Sequence, residues 1–459
     1  MRDLSKIFNP KSIAIIGASS KEKSVGSGLV KNILADRDSR QVFFVNTNQA
    51  EILGNKVYAK IGDIAGEIDL AVVAVPAQFV LQVVSECCQR KVGGIIIVSS
   101  GFGEIGGNGK IMQDQILEMV RKAGIPMLGP NCLGIIRTEN KLNVSFAPST
   151  PKSGSAAFIS QSGALLDVII DGSEKMGMSY AISYGNEADI TLTDLLEWIA
   201  GDSLTKVLAL YVEAISDGQK FMEVAKKITK IKPIVAIKAG KFESAKNVVK
   251  SHTGSLAGDY QIYKTVFKQT GIIEADSIEE LTDISKVLSW QPARNASHSD
   301  AGGPFCRNSF AIVTNGGGCG VMATDYCKTY GINLAKLSKE TIDKISSSGE
   351  MSPNWSKSNP ADIVGDALPG RYKVAIEAIL SQKDVAGLMV IQTPQIMTSP
   401  LENAKIIVEA KKLFPEKPIV CFFLGGEMSS EAIKLLEENN VPNYSELKRG
   451  IVAIKALVK

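Results

Sequence analysis

Short apolar runs alternate with amphipathic stretches along all 459 residues. The runs "SIAIIGA" (12–18), "QVFFVN" (41–46), "LAVVAVP" (70–76) and "GGIIIVSSG" (93–101) are almost continuously apolar, as strands covered on both faces must be. "VGSGLVKNIL" (25–34) reads as the helix after the first of them. The pattern predicts βα units on a parallel sheet. It breaks at Gly129-Pro130 and Gly134, then restarts with "SAAFISQSGALLDVII" (155–170) as strand, turn and helix. "YAISYGN" (180–186), "VLALYVE" (207–213) and "PIVAIKAG" (233–240) follow as strands, with "YQIYKTVFKQTG" (260–271) as a helix. Residues 291–308 are rich in Ser, Ala, Gly, Asn and Pro and read as a linker. A third unit opens with "SFAIVTNGGGCGVMATDYC" (309–327) and continues through "VAGLMVIQ" (385–392) and "KPIVCFFLGG" (417–426). The expected fold class is α/β with three doubly wound domains, 1–130, 131–290 and 309–459, the first two closely joined. No short-period repeat accompanies them.

Composition narrows the function classes. The net charge of +3 is close to balance and gives no argument for nucleic acid or a membrane surface. Seven cysteines, an odd number without a CxxC pair, read as reduced buried thiols of a cytoplasmic protein. "MRDLSKIFNPKS" lacks the apolar centre of a signal peptide, and no apolar run is long enough to span a bilayer. HExxH, zinc-pair and GxSxG patterns are missing, so metal and serine-hydrolase chemistry lack residues and no metal site is expected.

Three loops carry candidate chemistry. "GASSKEKSVGSG" (17–28) follows the first strand but lacks GxGxxG in register. The second strand ends at Val45-Asn46-Thr47-Asn48, without an acid for a ribose hydroxyl, which argues against a nicotinamide dehydrogenase. Gly17, Ser19, Ser20, Lys21 and Lys23 ahead of a helix suit the phosphates of another nucleotide-like ligand, though solvated lysines on a turn read equally well. Ser160, Gln161, Ser162 and Gly163, and in the third unit Gly316, Gly317 and Gly318, open helices with exposed N–H donors. Neither is a Walker A loop. Plain N-capping explains either alone; two such starts shift the balance toward phosphate.

The chain has two histidines. His298 lies in the linker with no partner in view. His252 lies in "VVKSHTGSLAG" (248–258), a glycine- and hydroxyl-rich loop. A neutral imidazole there has the chemistry of a phosphorus nucleophile, against the plainer reading of a surface loop residue. Glu213 ends "VLALYVE", at the carboxyl end of a buried strand where α/β folds bind ligands. It suits the role of orienting an imidazole, or that of a solvated strand-end acid.

"SHTGSLAG" closely resembles the phosphohistidine loop of the nucleoside-diphosphate-forming acyl-CoA synthetases, relatives of succinyl-CoA synthetase. "NPKSIAIIGASS", "AVPA", "SSGFGE", "GPNCLG", "ISQSGAL", "SYGNEADI", "YVEAISDG", "TNGGGCGVMATD" and "NPADIVGDA" occur in that family's order, so the resemblance spans nearly the whole chain. The domain order is similar to the α subunit of ADP-forming acetate–CoA ligase.

The resemblance implies a Rossmann-like CoA-binding domain followed by two flavodoxin-like domains. It implies interconversion of acyl-CoA, ADP and phosphate with acid, CoA and ATP. His252 would be phosphorylated and Glu213 would hold it. Ser160 to Gly163 and Gly316 to Gly318 would grip the phosphoryl group. CoA would lie on Gly17, Ser19, Ser20, Val25, Gly26, Asn46, Pro76, Ser100, Gly101 and Phe102. ADP or ATP, with Mg²⁺, would bind a separate ATP-grasp β subunit in an α2β2 assembly. Acetate, branched-chain and aryl acids all fit. Two departures stand out. Thr47-Asn48 replaces the family's Pro-Lys, so Lys21 or Lys23 would supply the cation, and Ala214 replaces a glycine. A CoA-binding regulatory protein that has lost catalysis is the alternative, against which the presence of both His252 and Glu213 speaks.

Overall fold

The computed structural model describes residues 2–35, 40–173, 176–242, 259–291 and 309–458. The chain divides into two compact units, Met1–Ile278 and Glu279–Lys459.

The first sheet runs Glu51–Ile52, Asn55–Tyr58, Gln41–Val45, Ser12–Ile16, Leu70–Val73, Gly94–Ile97, Met127–Leu128 from edge to edge. All neighbours are parallel except the Glu51–Ile52/Asn55–Tyr58 hairpin. Ser12–Ile16, Leu70–Val73 and Gly94–Ile97 are buried at every position, which is why they read as unbroken apolar runs. The strand order reverses on either side of Ser12–Ile16. Ligands of such sheets sit at the carboxyl ends beside that reversal.

The second sheet runs Ile273–Glu274, Ile234–Lys238, Val207–Val212, Ser153–Ser160, Met178–Ser183, Gly134–Arg137, Leu142–Ser145. Its reversal point is Ser153–Ser160. Gly134–Arg137 and Leu142–Ser145 form an antiparallel hairpin at one edge, a pair that the apolar pattern did not reveal. Asn143 and Ser145 are buried in it; the Ser145 hydroxyl donates to Asn143 Oδ1 at 2.7 Å, so their polar groups serve each other.

That hairpin ties the two sheets together. The helix Val25–Ala35 of the first domain packs on Leu142–Ser145, and Asn32 Nδ2 donates to Ser145 O and Ala147 O at 2.9 Å each. Leu29, Val30 and Ile33 share one core with Leu142 and Val144. The N-terminal residues bridge the same way. Phe8 stacks on Trp198 at 5.9 Å and meets Tyr180 edge-on at 5.7 Å. Arg2 pairs with the buried Asp189 at 2.6 Å.

The second unit is built on a parallel sheet, Asn333–Leu334, Ser309–Thr314, Gly387–Gln392, Ile419–Phe423, with Ala361–Asp362 also paired to Ser309–Thr314. The helix Ile278–Trp290, expected to close the second domain, carries its contacts here. The Asp283 carboxylate pairs with Arg449 at 2.9 Å, and Tyr444 donates to the Asp283 carbonyl at 2.8 Å. Gln291, read from sequence as the first linker residue, is buried, and its Oε1 accepts from Ile419 N at 3.2 Å. The rest of the linker, with His298, lies outside the described residues. Among the described residues, no helix is long and apolar enough to cross a membrane. Cys87, Cys88, Cys132, Cys319, Cys327 and Cys421 form no disulfide.

Candidate active site

The first-domain loop leaves the strand Ser12–Ile16 at Gly17. There φ is +93°, and an added Cβ would meet Ala74 O at 2.4 Å. Gly26 lies under the same loop; a Cβ on it would meet Gly17 O at 2.1 Å. These contacts are backbone on backbone, so no side chain can swing away. Gly26→Ala should therefore lever the loop off its helix, costing about 3 kcal/mol. Calorimetry should show a lower Tm and titration a weaker affinity for CoA; full CoA affinity in this variant would count against the loop as the binding element.

Side chains brace that loop. Asn46 Nδ2 donates to Ala18 O at 2.7 Å, and Gln49 Nε2 donates to Ser20 Oγ at 2.6 Å. Asn46 thus holds the loop from behind. Lys21 and Lys23 are exposed on its outer side. Phe102 is fully buried among Val80, Val84 and Ile97, so its ring belongs to the core, and its N–H donates to Glu104 Oε2 at 3.1 Å. Glu104 also accepts from Gly101 N, and Asn186 Nδ2 of the second domain donates to it at 2.6 Å. This cross-domain bond was not foreseen, although Asn186 and Glu104 lie inside two motifs singled out in the sequence.

In the second domain the strand Ser153–Ser160 turns into the helix Gly163–Gly172. Ser160 Oγ closes the turn, donating to Ser162 O at 2.6 Å and accepting from Ser162 N at 3.1 Å. Ser162 caps the helix, its side chain accepting from Leu165 N at 3.4 Å. Gln161 reaches sideways instead. Its Oε1 accepts from Glu213 N at 2.9 Å and Ala214 N at 3.0 Å, with the Tyr184 hydroxyl at 3.4 Å. Ser160 and Gln161 are therefore frame, and the helix start at Ser162 and Gly163 is the face turned outward.

Glu213 is buried, and burial together with the nearby Glu213 charge pushes the Tyr211 phenol up to about 12. Beside it is a residue the sequence reading passed over. Lys238 ends the neighbouring strand, 1% exposed, and its ammonium donates to Glu213 O at 2.7 Å and also to Ala239 O. It lies 4.5 Å from the Tyr263 ring centroid. Burial pushes its ammonium down to about 8, against the opposing pull of Glu213. Glu187, also at this end of the sheet, accepts from Leu192 N at 2.8 Å and Ser216 Oγ at 3.3 Å, and burial pushes its carboxyl up to about 7. His252 lies outside the described residues.

A cavity of about 600 Å³ joins the two domains' loops. Val25, Pro76 and Ser100 line it from the first domain, and Gln161, Ser162 and Gly163 from the second. Cys132 lines it too, but its thiol donates to Ile97 O at 3.3 Å and burial pushes it up to about 12, so it is no thiolate nucleophile.

The third domain repeats the turn. Thr314 Oγ1 accepts from Gly316 N at 3.0 Å and donates to Gly316 O at 3.1 Å, and the helix Gly317–Tyr330 begins there. A Cβ on Gly317 would meet Asp362 Oδ2 at 2.7 Å, whereas one on Gly163 would meet Leu133 Cβ at 3.2 Å. A carboxylate thus borders the third-domain helix start.

Comparison with known proteins matches this arrangement block by block. A CoA binding domain matches residues 11–138, a succinyl-CoA ligase like flavodoxin domain 153–288, and a ligase-CoA domain 310–457. The chain is 40% identical over 463 residues to the α subunit of the ADP-forming acetate–CoA ligase I of Pyrococcus furiosus, covering 99% of this chain and 97% of that one. It is 42% identical to the ADP-forming acetate–CoA ligase of Methanocaldococcus jannaschii, covering 100% of this chain and 63% of that longer protein. In structure it matches the dinucleotide-forming acetyl-coenzyme A synthetase 1 of Ca. Korarchaeum cryptofilum in complex with phosphate and ADP. The TM-score is 0.92 at 35% identity, covering 100% of this chain and 96% of that one. The chain therefore belongs to the ADP-forming acyl-CoA synthetases, a family of acid–thiol ligases, and corresponds over its length to their α subunit.

Proposed function

We propose that this chain carries the CoA and phosphohistidine half of the reaction, and that an ATP-grasp β subunit, in an α2β2 assembly, carries the nucleotide with Mg²⁺. Acyl-CoA lies with its phosphates at the Ser19–Gly26 loop and its thioester in the cavity shared with Ser162 and Gly163. A phosphate oxygen attacks the thioester carbonyl, the C–S bond breaks, and CoA leaves as the thiol. The imidazole of His252 then attacks phosphorus, the bond from phosphorus to the acyl oxygen breaks, and the carboxylate leaves. Phosphohistidine passes its phosphoryl group to ADP on the partner. Glu213 stabilises the imidazolium character that develops as the N–P bond forms. The helix start at Ser162 and Gly163 receives the charge of the phosphoryl group, and in this scheme Gly316 to Gly318 offers a second start.

One observation carries this reading: a single cavity is lined by Val25, Pro76 and Ser100 of the expected CoA set and by a helix N-terminus. The thiol end of CoA and a bound phosphate can then meet without either leaving its site. The test uses the full chain by itself. Given acetyl-CoA and radiolabelled phosphate, it should take up acid-labile label and release acetate, yet make no ATP from ADP until an ATP-grasp subunit is added. ATP formation by the chain alone, or no label at all, would overturn the division of labour.

A further inference from the structure

The second and third domains share one turn frame, and the frame supplies its own control. Ser160 pairs with Tyr211 in the sheet, and Thr314 pairs with Ile391. Glu213 therefore stands where the third domain has Thr393. Asn315 Oδ1 accepts from Thr393 N at 2.8 Å, as Gln161 Oε1 accepts from Glu213 N. One strand further out, Val212 pairs with Lys238 and Gln392 pairs with Phe423. The third domain closes the same frame with a fully buried Phe423. The frame itself thus has no need of a buried cation. Where the cation occurs, it accompanies the glutamate.

We infer that Lys238 is a positioning residue for Glu213, clamping the backbone on which that carboxylate is carried. The inference rests on the assignment of Glu213 as the partner of the imidazole. Residue 213 and its successors are held from three sides. Gln161 takes the N–H groups of Glu213 and Ala214, Lys238 donates to the Glu213 carbonyl, and Tyr263 accepts from Ile215 N at 3.2 Å. The Lys238 ammonium also rests over the Tyr263 ring. Burying an ammonium costs free energy that an aliphatic side chain at this position would not, so its presence calls for a return. That return is a fixed carboxylate beside a positive counter-charge, which keeps Glu213 directed while a doubly charged phosphoryl group approaches.

The experiment is a double-mutant cycle on the full chain, reading the initial rate of acid-labile labelling from acetyl-CoA and radiolabelled phosphate. Lys238→Met should slow labelling about tenfold or more. Its affinity for CoA should stay at the wild-type value, because Lys238 is not among the residues that line the cavity. Lys238→Arg should recover part of the rate. The double variant Lys238→Met with Glu213→Gln should be no slower than Glu213→Gln alone, since both act through one carboxylate. If the methionine chain loses CoA binding, Lys238→Gln, which keeps a donor at similar length, is read in its place. Wild-type rates in the Lys238 variants with a slow Glu213→Gln, or losses that multiply in the double variant, would overturn the inference alone. A wild-type rate in Glu213→Gln would overturn the assignment beneath it.

Discussion

A chain carrying His252→Ala should take up no acid-labile phosphate from acetyl-CoA and radiolabelled phosphate, and should support no ATP formation with its partner, while binding CoA normally. The expectation rests on the state of the other nucleophiles among the described residues that line the cavity; a phosphate on the exposed Ser100 hydroxyl would be acid-stable and so distinct from the label sought. The Ser99 hydroxyl donates to Val75 O at 2.6 Å, the Ser162 hydroxyl caps its own helix, and the Cys132 thiol is held protonated by burial. Asp167 lines the cavity, and burial raises its carboxyl, which disfavours the anion that would attack. A phosphoaspartate would also betray itself, because an acyl phosphate is cleaved by alkali and phosphohistidine is not. The measurement is label retained after alkali and lost after acid, mapped to a peptide. Alkali-stable, acid-labile label on the His252→Ala chain would refute the assignment, as would a wild-type label that alkali removes.

The strands were legible because burial on both faces leaves no room for a polar position. Ile13–Ile16 and Ile95–Ile97 carry that signature and nothing else. The Gly134–Arg137/Leu142–Ser145 hairpin was not legible, for the opposite reason. Its buried Asn143 and Ser145 look exposed in sequence and are satisfied by each other, by Thr150 and Ala147 just beyond the strand, and by Asn32 of the helix that docks there. The site divides along the same line. Ser162 and Gly163 could be placed by local turn chemistry, since a cap and a helix start are neighbours in sequence. Gln161, expected beside them as a phosphate ligand, lines the cavity and also accepts through Oε1 from a strand 52 residues away, a tie that sequence order does not show. Lys238 drew no reading of its own at the end of an apolar run; the carbonyl it donates to belongs to a residue 25 positions back. Phe102 was assigned to CoA from its motif, and packing turns its ring into the core.

Glu213→Gln should slow phosphorylation of the chain about a hundredfold and leave CoA affinity unchanged. The substitution is a narrow one. The bonds that Gln161 makes to residues 213 and 214 go to backbone N–H groups, and Lys238 donates to the backbone carbonyl, so all three survive it. Size and frame are therefore kept, and only the negative charge is removed. That charge matters when the imidazole becomes cationic as phosphorus is attacked, and it acts in a buried setting where water screens it little. Binding of CoA happens before that charge develops, so affinity and turnover should separate: a lower labelling rate at saturating acetyl-CoA with an unchanged Kd for CoA. Glu213→Ala would be the weaker test, because it also empties space under the Ser160–Gly163 turn and lowers stability. A Gln variant that labels at the wild-type rate removes Glu213 from the mechanism. One that loses CoA affinity in step with its rate makes it a structural residue of the cavity.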